Sequence, residues 1–404
     1  MEVIRETLET PVSGDYDVLV AGGGVAGIAA ALAAARNGKK VCLLEKQFML
    51  GGLATAGLIT IYLPICDGMG TQVSYGLAEE LLHASIKYGY EARYPQAWMK
   101  EAVTKEDQEA RKKHRYEVQF NAQLFAITAE ELLLKEGVTI LYGTSACAVT
   151  KENQKITAVI IENKSGRSAL KVKSVVDATG DADICLFAGE ETACYRTGNS
   201  LAAWYYYADE KGYYLRPVGY AELPDELKTE EQKKQKSTVF GGLDAEEISD
   251  MMALSHKRLL QDVLQQRKDN PQVMPVTMAT IPQLRMTRRI VGEYTMELSD
   301  DRAHFSDSIG MVSNWRKRGP VYEVPFRCLH GSQVKNLITA GRIISADDPM
   351  WDITRVIPVC ALTGEAAGTA AAMSEDFTAI NIEQLQMQLK KQGVRLFCHE
   401  LDEK

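Results

Sequence analysis

Residues 17–46 have the sequence DVLVAGGGVAGIAAALAAARNGKKVCLLEK, and this stretch decides the fold. The apolar, β-branched run at 18–20 predicts a buried strand that leads into a glycine-rich turn. An alanine-rich segment then predicts a helix, which Asn37-Gly38 ends because glycine tolerates the left-handed conformation. A second strand is expected over 40–44. Strand, glycine turn, helix and strand together predict a βαβ unit.

The glycines of this unit have the spacing Gly22-x-Gly24-x-x-Gly27, and Glu45 follows 23 positions after the first of them. Gly22 permits a tight turn, Gly24 lets the backbone approach a pyrophosphate, and Gly27 lets the helix pack closely on the strand. We expect Glu45 to accept hydrogen bonds from a ribose 2′-hydroxyl and to repel a 2′-phosphate. The alternative is a glycine turn without a ligand, and the complete βαβ context argues against it.

Composition restricts the class of protein. The chain has 404 residues, of which 46% are hydrophobic and 25% charged, as in soluble proteins of two or three domains. Its net charge of −8 disfavours nucleic acid and anionic membrane as partners. The acidic N-terminal segment has no apolar signal core, so we expect a cytoplasmic protein. The scattered cysteines include no CxxC and the histidines have no ligand spacing, so no metal site is predicted.

A change of composition sets residues 195–330 apart as a candidate second domain. An amphipathic helix with a capping-box-like start is predicted from Asp244 to Lys268. Strands are expected at Val276–Ile281, Val291–Thr295 and Tyr322–Val324.

Four further segments accompany the glycine fingerprint. Gly51-Gly52-x-Ala54-Thr55 predicts a loop in which backbone lies close to another group. Ala178-Thr179-Gly180-Asp181 follows a predicted strand, as does Ala340-Gly341-Arg342. The segment from Arg355 predicts a helix that opens at Pro358. Gly364 and Gly368 in this helix are expected to allow close packing and not ligand contact.

These segments together resemble the FAD-dependent oxidoreductases of the glutathione-reductase-like superfamily. The closer likeness is to the bacterial group named FAD-dependent oxidoreductase, which is distantly similar to fumarate reductase flavoproteins. It covers roughly residues 15–200 and 275–375, including the strand from Thr144 to Val149 that presents backbone at Ala146 to the adenine. The resemblance implies FAD as cofactor. The cofactor-binding residues it implies are Gly22, Gly24, Val25, Ala26, Gly27, Glu45, Lys46, Gly51, Gly52, Ala54, Thr55, Ala146, Ala178, Thr179, Gly180, Asp181, Gly341, Arg342, Pro358, Val359 and Cys360.

The implied fold is α/β, with a Rossmann-like FAD-binding domain and an inserted α+β substrate domain. The FAD-binding domain has a parallel sheet between helices and a β-meander. The expected segments are 1–75, 119–195 and 331–375 for the FAD-binding domain, 76–118 for a helical insertion, 196–330 for the substrate domain, and 376–404 for a C-terminal helix and tail.

The sequence departs from this group in one respect. Many members carry an aspartate–histidine pair after the segment equivalent to 305–309, whereas residues 313–319 here contain no histidine. Chemistry assigned to that pair therefore does not transfer. The chain also lacks a second GxGxxG, a close cysteine pair and a WxWxIP signature, which disfavours an NAD(P)H domain, a disulfide reductase and a halogenase.

Four arginines are candidates for binding an anionic substrate: Arg285, Arg288, Arg289 and Arg355. A guanidinium binds a carboxylate through two parallel hydrogen bonds. Arg288 and Arg289 would lie on opposite faces of a strand, so only one of them is expected to reach the cofactor, together with Arg355. The alternative is that the arginines pair with internal acids. The candidate acids are Asp347, Asp348 and Asp352.

The function expected from the sequence is hydride transfer between flavin N5 and a small, anionic organic substrate. The alternative is a hydratase or isomerase in which FAD is structural or redox-silent. The substrate, the electron acceptor, covalent attachment of the flavin and the oligomeric state stay open.

Overall fold

The computed structural model describes residues 3–88, 94–98, 104–113, 117–220, 223–234 and 238–401. The undescribed residues 89–93, 99–103 and 114–116 belong to the expected helical insertion, and 402–404 to the tail. The helices of the described ranges are α1 Val25–Arg36, α2 Leu77–Ile86, α3 Lys105–Lys113, α4 Ala122–Lys135, α5 Asp183–Ala188, α6 Glu230–Lys234, α7 Ala245–Asp269, α8 Asp348–Thr354, α9 Ile357–Met373 and α10 Ile382–Lys391. The strands are β1 Val12–Ala21, β2 Val41–Leu44, β3 Ile61–Tyr62, β4 Val118–Gln119, β5 Thr139–Leu141, β6 Ser145–Glu152, β7 Lys155–Asn163, β8 Gly166–Asp177, β9 Thr192–Cys194, β10 Asn199–Ser200, β11 Tyr205–Asp209, β12 Gly212–Arg216, β13 Val239–Phe240, β14 Met274–Met278, β15 Arg288–Ile290, β16 Ser308–Ser313, β17 Val321–Pro325 and β18 Leu337–Thr339.

The main sheet has the strand order β5-β2-β1-β8-β7-β6, and β18 also pairs with β8. The pairs β2–β5, β1–β2, β1–β8 and β18–β8 are parallel, whereas β6, β7 and β8 form an antiparallel meander. The long β8 joins both parts. The expected α/β fold with a parallel sheet and a β-meander is confirmed.

Strand β1 shows why the sheet lies between two apolar layers. Its last four residues are all buried. Val18 and Val20 belong to the core that contains α1 and α9, and Leu19 and Ala21 to the core formed with α5 and the meander. Because successive side chains of a strand point to opposite faces, a continuous apolar run fits a sheet covered on both sides.

Helices α1 and α9 cross at the two glycines for which close packing was expected. A Cβ on Gly364 would lie 2.3 Å from the carbonyl oxygen of Ala26, and one on Gly368 would lie 2.1 Å from that of Ala30. The expected packing role is therefore confirmed. Because the contacts advance together along both helices, α1 and α9 run in the same direction.

The carboxyl ends of the parallel strands meet at one edge of the sheet. Strand β1 ends immediately before Gly22, β2 before Glu45, β8 before Ala178 and β18 before Ala340. In open α/β sheets this edge is where ligands bind. The residues that the sequence singled out therefore lie at the ends of four neighbouring strands.

Residues 199–278 build smaller elements. Strands β12, β11 and β14 form an antiparallel sheet, and α7 begins after Asp244, whose side chain accepts a hydrogen bond from the Glu247 N–H. The reciprocal half of the capping box is absent. The Glu247 carboxylate accepts instead from the N–H groups of Gly241 and Gly242.

One predicted strand is wrong. Residues 291–295 form no strand, because their N–H groups donate to separate segments: Val291 to Glu191, Glu293 to His330, and Tyr294 to Arg327. The strand expected at 276–281 begins two residues earlier, as β14. The strand expected at 322–324 is confirmed within β17.

No single helix in the described part of the chain is long and apolar enough to cross a membrane. Helices α8 and α9, which are bent against each other, together reach the length and apolar composition of a membrane span.

A buried carboxylate joins α9 to two other helices. Glu365 is 2% exposed and accepts hydrogen bonds from the Leu77 N–H (2.7 Å) and from Nε2 of Gln392 (3.0 Å). It thereby binds a first-turn N–H of α2, which no side chain at the N-cap satisfies. Burial raises the pKa of Glu365 to about 7, although both hydrogen bonds lower it; Glu80 raises it further and Arg36 lowers it.

We expect Gly368→Ala to destabilise the protein by about 1–3 kcal/mol, although alanine favours helix by about 1 kcal/mol in open positions. The new methyl group meets the backbone of α1 and forces the helices apart. Urea unfolding of the variant measures the loss. A free energy of unfolding equal to that of the wild type would show that the two helices can separate without cost.

We expect the free energy of unfolding to fall by roughly 3 kcal/mol from pH 4.5 to 7 on account of Glu365. In this window the folded protein retains the proton that the unfolded glutamate has released, so stability declines as pH rises. Urea unfolding at several pH values should show this decline in the wild type and in the exposed control Glu246→Gln, but not in Glu365→Gln. If the free energy of unfolding of Glu365→Gln fell with pH as steeply as that of the wild type, Glu365 would not be the cause of the decline.

Candidate cofactor site

A cavity of about 350 Å³ opens at the carboxyl edge of the main sheet. Its wall contains most of the residues that the sequence predicted. Those that line it are Gly22, Gly24, Val25, Ala26, Glu45, Lys46, Gly51, Gly52, Ala54, Ala146, Ala178, Thr179, Gly180, Asp181, Gly341, Arg342, Arg355 and Cys360.

The three fingerprint glycines meet different constraints. Gly22 has φ +104°, and a Cβ there would lie 2.4 Å from the Ala178 carbonyl oxygen. A Cβ on Gly27 would lie 1.8 Å from the Gly22 carbonyl oxygen, so Gly27 permits the turn itself. Gly24 has no atom within 4 Å of its Cβ position and an ordinary φ of −67°. Its missing side chain therefore leaves open space in the cavity.

This open space lies at the N-terminus of α1. Gly24 is the N-cap residue and no side chain caps the helix. The N–H groups of the first turn have no partner inside a helix and carry partial positive charge, which favours an anion. Open space and free donors together fit a dinucleotide pyrophosphate.

The Gly51–Gly52 loop packs against the fingerprint, as its glycines indicated. The Gly51 N–H donates to the Gly23 carbonyl at 2.8 Å, and a Cβ on Gly52 would lie 3.2 Å from Cα of Gly24. Both glycines have positive φ, at +101° and +54°. The group that the loop approaches is thus the fingerprint backbone.

Glu45 lines the cavity but is only 8% exposed. Its Oε2 accepts from the Gly23 N–H (2.9 Å) and its Oε1 from the Gln47 N–H (2.7 Å). Burial raises the pKa of Glu45, while these bonds act in the opposite direction. Each carboxylate oxygen can accept a further bond, as a ribose hydroxyl requires.

Two acids hold the basic groups of the adjacent wall. Asp181 accepts from Nη2 of Arg342 at 2.8 Å, and Asp183 accepts from Lys46 at 3.1 Å and Arg288 at 3.0 Å. Nη1 of Arg342 also donates to the Leu284 carbonyl at 2.9 Å. Arg342 therefore connects the Asp181 segment to the loop before β15.

Arg355 stands at the corner between α8 and α9. Its guanidinium forms an ion pair with the fully buried Asp352 at 2.7 Å, and Asp352 also binds Arg316. Burial alone would raise the pKa of Asp352, but Arg355 and Arg316 outweigh it and hold the pKa below its usual value. The proposed pairing of an arginine with an internal acid is confirmed here.

Seven predicted residues do not line the cavity, and one of them, Arg285, lies next to Arg342 and Arg355 of its wall. Gly27 and Thr55 support the turns beside it, and Pro358 and Val359 are buried within α9. Arg288 is turned toward Asp183, and Arg289 packs over Trp351 with its centre 5.7 Å from the ring.

Twelve further lining residues were not among the predicted site residues. They are Ala21, Gly23, Leu44, Gln47, Leu53, Thr144, Asp183, Ile281, Pro282, Leu284, Ala340 and Ile357. Most of them adjoin a predicted residue at the end of a strand. Including the neighbours of each predicted strand end would therefore have found them. Ile281, Pro282 and Leu284 come from a distant loop whose contact with the cavity no local pattern shows.

A family model described as FAD dependent oxidoreductase matches residues 17–206 and 206–389. The chain belongs to this family. The resemblance seen in the sequence is thus confirmed, the protein is a FAD-dependent oxidoreductase, and its cofactor is FAD. The open space at Gly24, the free donors of α1 and the Glu45 carboxylate fit that cofactor.

Among known proteins, this oxidoreductase is 38% identical over 77 residues to a thioredoxin reductase of Ureaplasma parvum serovar 3. The matched segment makes up 19% of this chain and 25% of the relative. The chain therefore covers about a quarter of that relative's length.

Three solved structures match this FAD-dependent oxidoreductase at low identity. A triple mutant of the flavin-dependent brominase Bmp2 matches with a TM-score of 0.47 and 11% identity, over 93% of this chain and 84% of that one. A geranylgeranyl bacteriochlorophyll reductase-like protein of Thermoplasma acidophilum gives 0.42 and 14%, over 94% and 82%. A flavocytochrome c3 fumarate reductase gives 0.42 and 14%, over 89% and 78%.

We expect Gly24→Ala to weaken FAD binding while it lowers the stability of the FAD-free protein by no more than about 1 kcal/mol. The added methyl group meets no protein atom and projects into the space that fits the pyrophosphate. Gly27→Ala should instead destabilise the FAD-free protein, because its methyl group meets the Gly22 carbonyl.

Flavin absorbance of the purified variants and urea unfolding of their FAD-free forms separate the two effects. Full flavin content in a folded Gly24→Ala protein would contradict the assigned phosphate position.

Proposed function

We propose that this FAD-dependent oxidoreductase transfers hydride between N5 of the flavin and a small, anionic organic substrate. Bound FAD supplies the two-electron chemistry, and the protein supplies binding, orientation and exclusion of water.

The observation that carries the proposal is an excess of positive charge at one part of the cavity, which we call the arginine end. It comprises Arg342 and Arg355, which line the cavity, and Arg285, which lies beside them. Asp181 forms an ion pair with Arg342, and Asp352 forms one with Arg355 while it also pairs with Arg316. No described acid forms an ion pair with Arg285, so one cation remains for a ligand.

The other residues at this end are suited to hold a small organic molecule. Ile281, Pro282 and Leu284 supply apolar wall. Ile357 and Cys360, also in the wall, belong to the first turn of α9, whose N-terminus carries partial positive charge. An apolar pocket with a few convergent cationic groups favours an organic anion over a neutral or cationic molecule.

Arg355 and Arg342 each have a separate positioning contact. The ion pair with Asp352 fixes the Arg355 guanidinium, and the bonds of Arg342 to Asp181 and to the Leu284 carbonyl hold two walls together. Preorganised cations need no rearrangement when an anion enters, which lowers the cost of binding.

The test is anaerobic mixing of the FAD-loaded protein with a panel of carboxylic acids, each paired with its amide or ester. We expect at least one acid to bleach the flavin band at roughly 450 nm, and its neutral partner to bleach it far more slowly. Equal bleaching by acid and neutral partner would contradict the anionic substrate. Turnover of an acid without bleaching would establish a redox-silent flavin, as in a hydratase or isomerase.

A further inference from the structure

Arg285 is a buried cation surrounded by like charge. It is 6% exposed, and burial together with the neighbouring Arg355 and Arg342 lowers the pKa of Arg285 to about 9. The guanidinium therefore still carries its charge at neutral pH. Burying a charge without a partner costs several kcal/mol, so proteins rarely retain one without a use.

The hydrogen bonds of Arg285 leave most of its donors free. Among the described residues its side chain makes one bond, from Nη1 to the Gln283 carbonyl, at a long 3.4 Å. The Nε and Nη2 groups, which form a two-pronged donor, have no acceptor there. Arg289 likewise forms no ion pair with a described acid, but it differs from Arg285 because Asp348 and Asp347 act on its charge.

The backbone that carries Arg285 is firmly held. The Asn199 side chain accepts from the N–H groups of Arg285 (2.8 Å) and Met286 (3.1 Å). The buried Gln283 side chain accepts from the Trp204 N–H at 3.0 Å and donates to the Gly57 carbonyl at 2.6 Å. These contacts fix the segment independently of the Arg285 guanidinium, so its charge is not needed to hold the loop.

Trp204 covers one side of the guanidinium, with 5.6 Å between the guanidinium carbon and the ring centroid. A face-on aromatic ring favours a cation without using its hydrogen-bond donors, which lie in the guanidinium plane. The free Nε and Nη2 donors therefore stay available in that plane. Their parallel geometry matches the two oxygens of a carboxylate.

We propose that Arg285 is the anchoring residue for a carboxylate group of the substrate, which its Nε and Nη2 groups bind through two parallel hydrogen bonds at the arginine end of the cavity. The inference rests on the proposed function and narrows its substrates to carboxylic acids. It assigns Arg285 a role apart from Arg342 and Arg355, which already form ion pairs with Asp181 and Asp352.

The test uses benzoate as the carboxylate probe and benzamide as its neutral counterpart, titrated into the FAD-loaded protein. Binding is followed by the change in the flavin spectrum and by the melting temperature. We expect benzoate to bind the wild type and the control Arg216→Lys, an arginine of the same region that pairs with Asp262 outside the cavity. Arg285→Lys and Arg285→Met should weaken benzoate binding at least about tenfold and leave the weak binding of benzamide unchanged.

A second measurement distinguishes an anchoring role from a structural one. Without benzoate, Arg285→Met should melt a few degrees above the wild type, because it removes an uncompensated buried charge while filling similar volume. Saturating benzoate should raise the melting temperature of the wild type and not that of Arg285→Met.

The outcomes that overturn the proposal are specific. Equal affinity of the wild type and Arg285→Met for benzoate would show that Arg285 does not bind the carboxylate. A lower melting temperature of probe-free Arg285→Met would assign Arg285 a structural role, and loss of FAD from that variant with unchanged benzoate affinity would assign it to the flavin. If benzoate binds through Arg285 but no acid bleaches the flavin, the anchoring site stands and the proposed hydride transfer fails.

Discussion

The close approach of α9 to α1 is the contact on which the site depends. Only glycine at 364 and 368 lets the backbone of α9 reach the Ala26 and Ala30 carbonyls. Because the helices run in the same direction, their N-termini lie at the same edge of the sheet. Val25 and Ala26 of α1, and Ile357 and Cys360 of α9, accordingly line one cavity. A packing constraint within the core thus brings two partially positive helix ends to a single ligand site.

The partial positive charges of the two helix N-termini face the cavity, whereas most of its charged side chains are paired with a side chain of opposite charge. The basic residues of the wall are paired with acids: Asp352 holds Arg355 from behind the wall, whereas Asp183, itself a lining residue, holds Lys46. Such pairing fixes orientation and cancels charge. Arg285 has no such partner among the described acids, and it lies where the loop is fixed by amide side chains, those of Asn199 and Gln283.

The local parts of the fold could be predicted from sequence because glycine spacing and apolar runs report backbone requirements directly. Gly22 at φ +104° and the continuous burial of 18–21 are examples. The prediction of a strand at 291–295 was wrong because these residues form a loop. Their N–H groups donate to separate segments and not to one neighbouring strand. The partners of the arginines could not be predicted either. Arg288 pairs with Asp183, which lies about a hundred residues earlier in the chain, and no pattern in the sequence around Arg288 indicates that contact.

The contrast between the cavity and the whole chain has a kinetic consequence. The protein carries a net charge of −8, whereas the N-terminus of α9 lines the arginine end and Arg285 beside it forms no ion pair with a described acid. At long range the overall field opposes the approach of an anion, so electrostatic steering does not bring it to the cavity mouth. For the proposed carboxylate substrate, discrimination would therefore arise only after entry, where the fixed cations act at short range. The preference would then appear as slow dissociation of the bound acid and not as fast association.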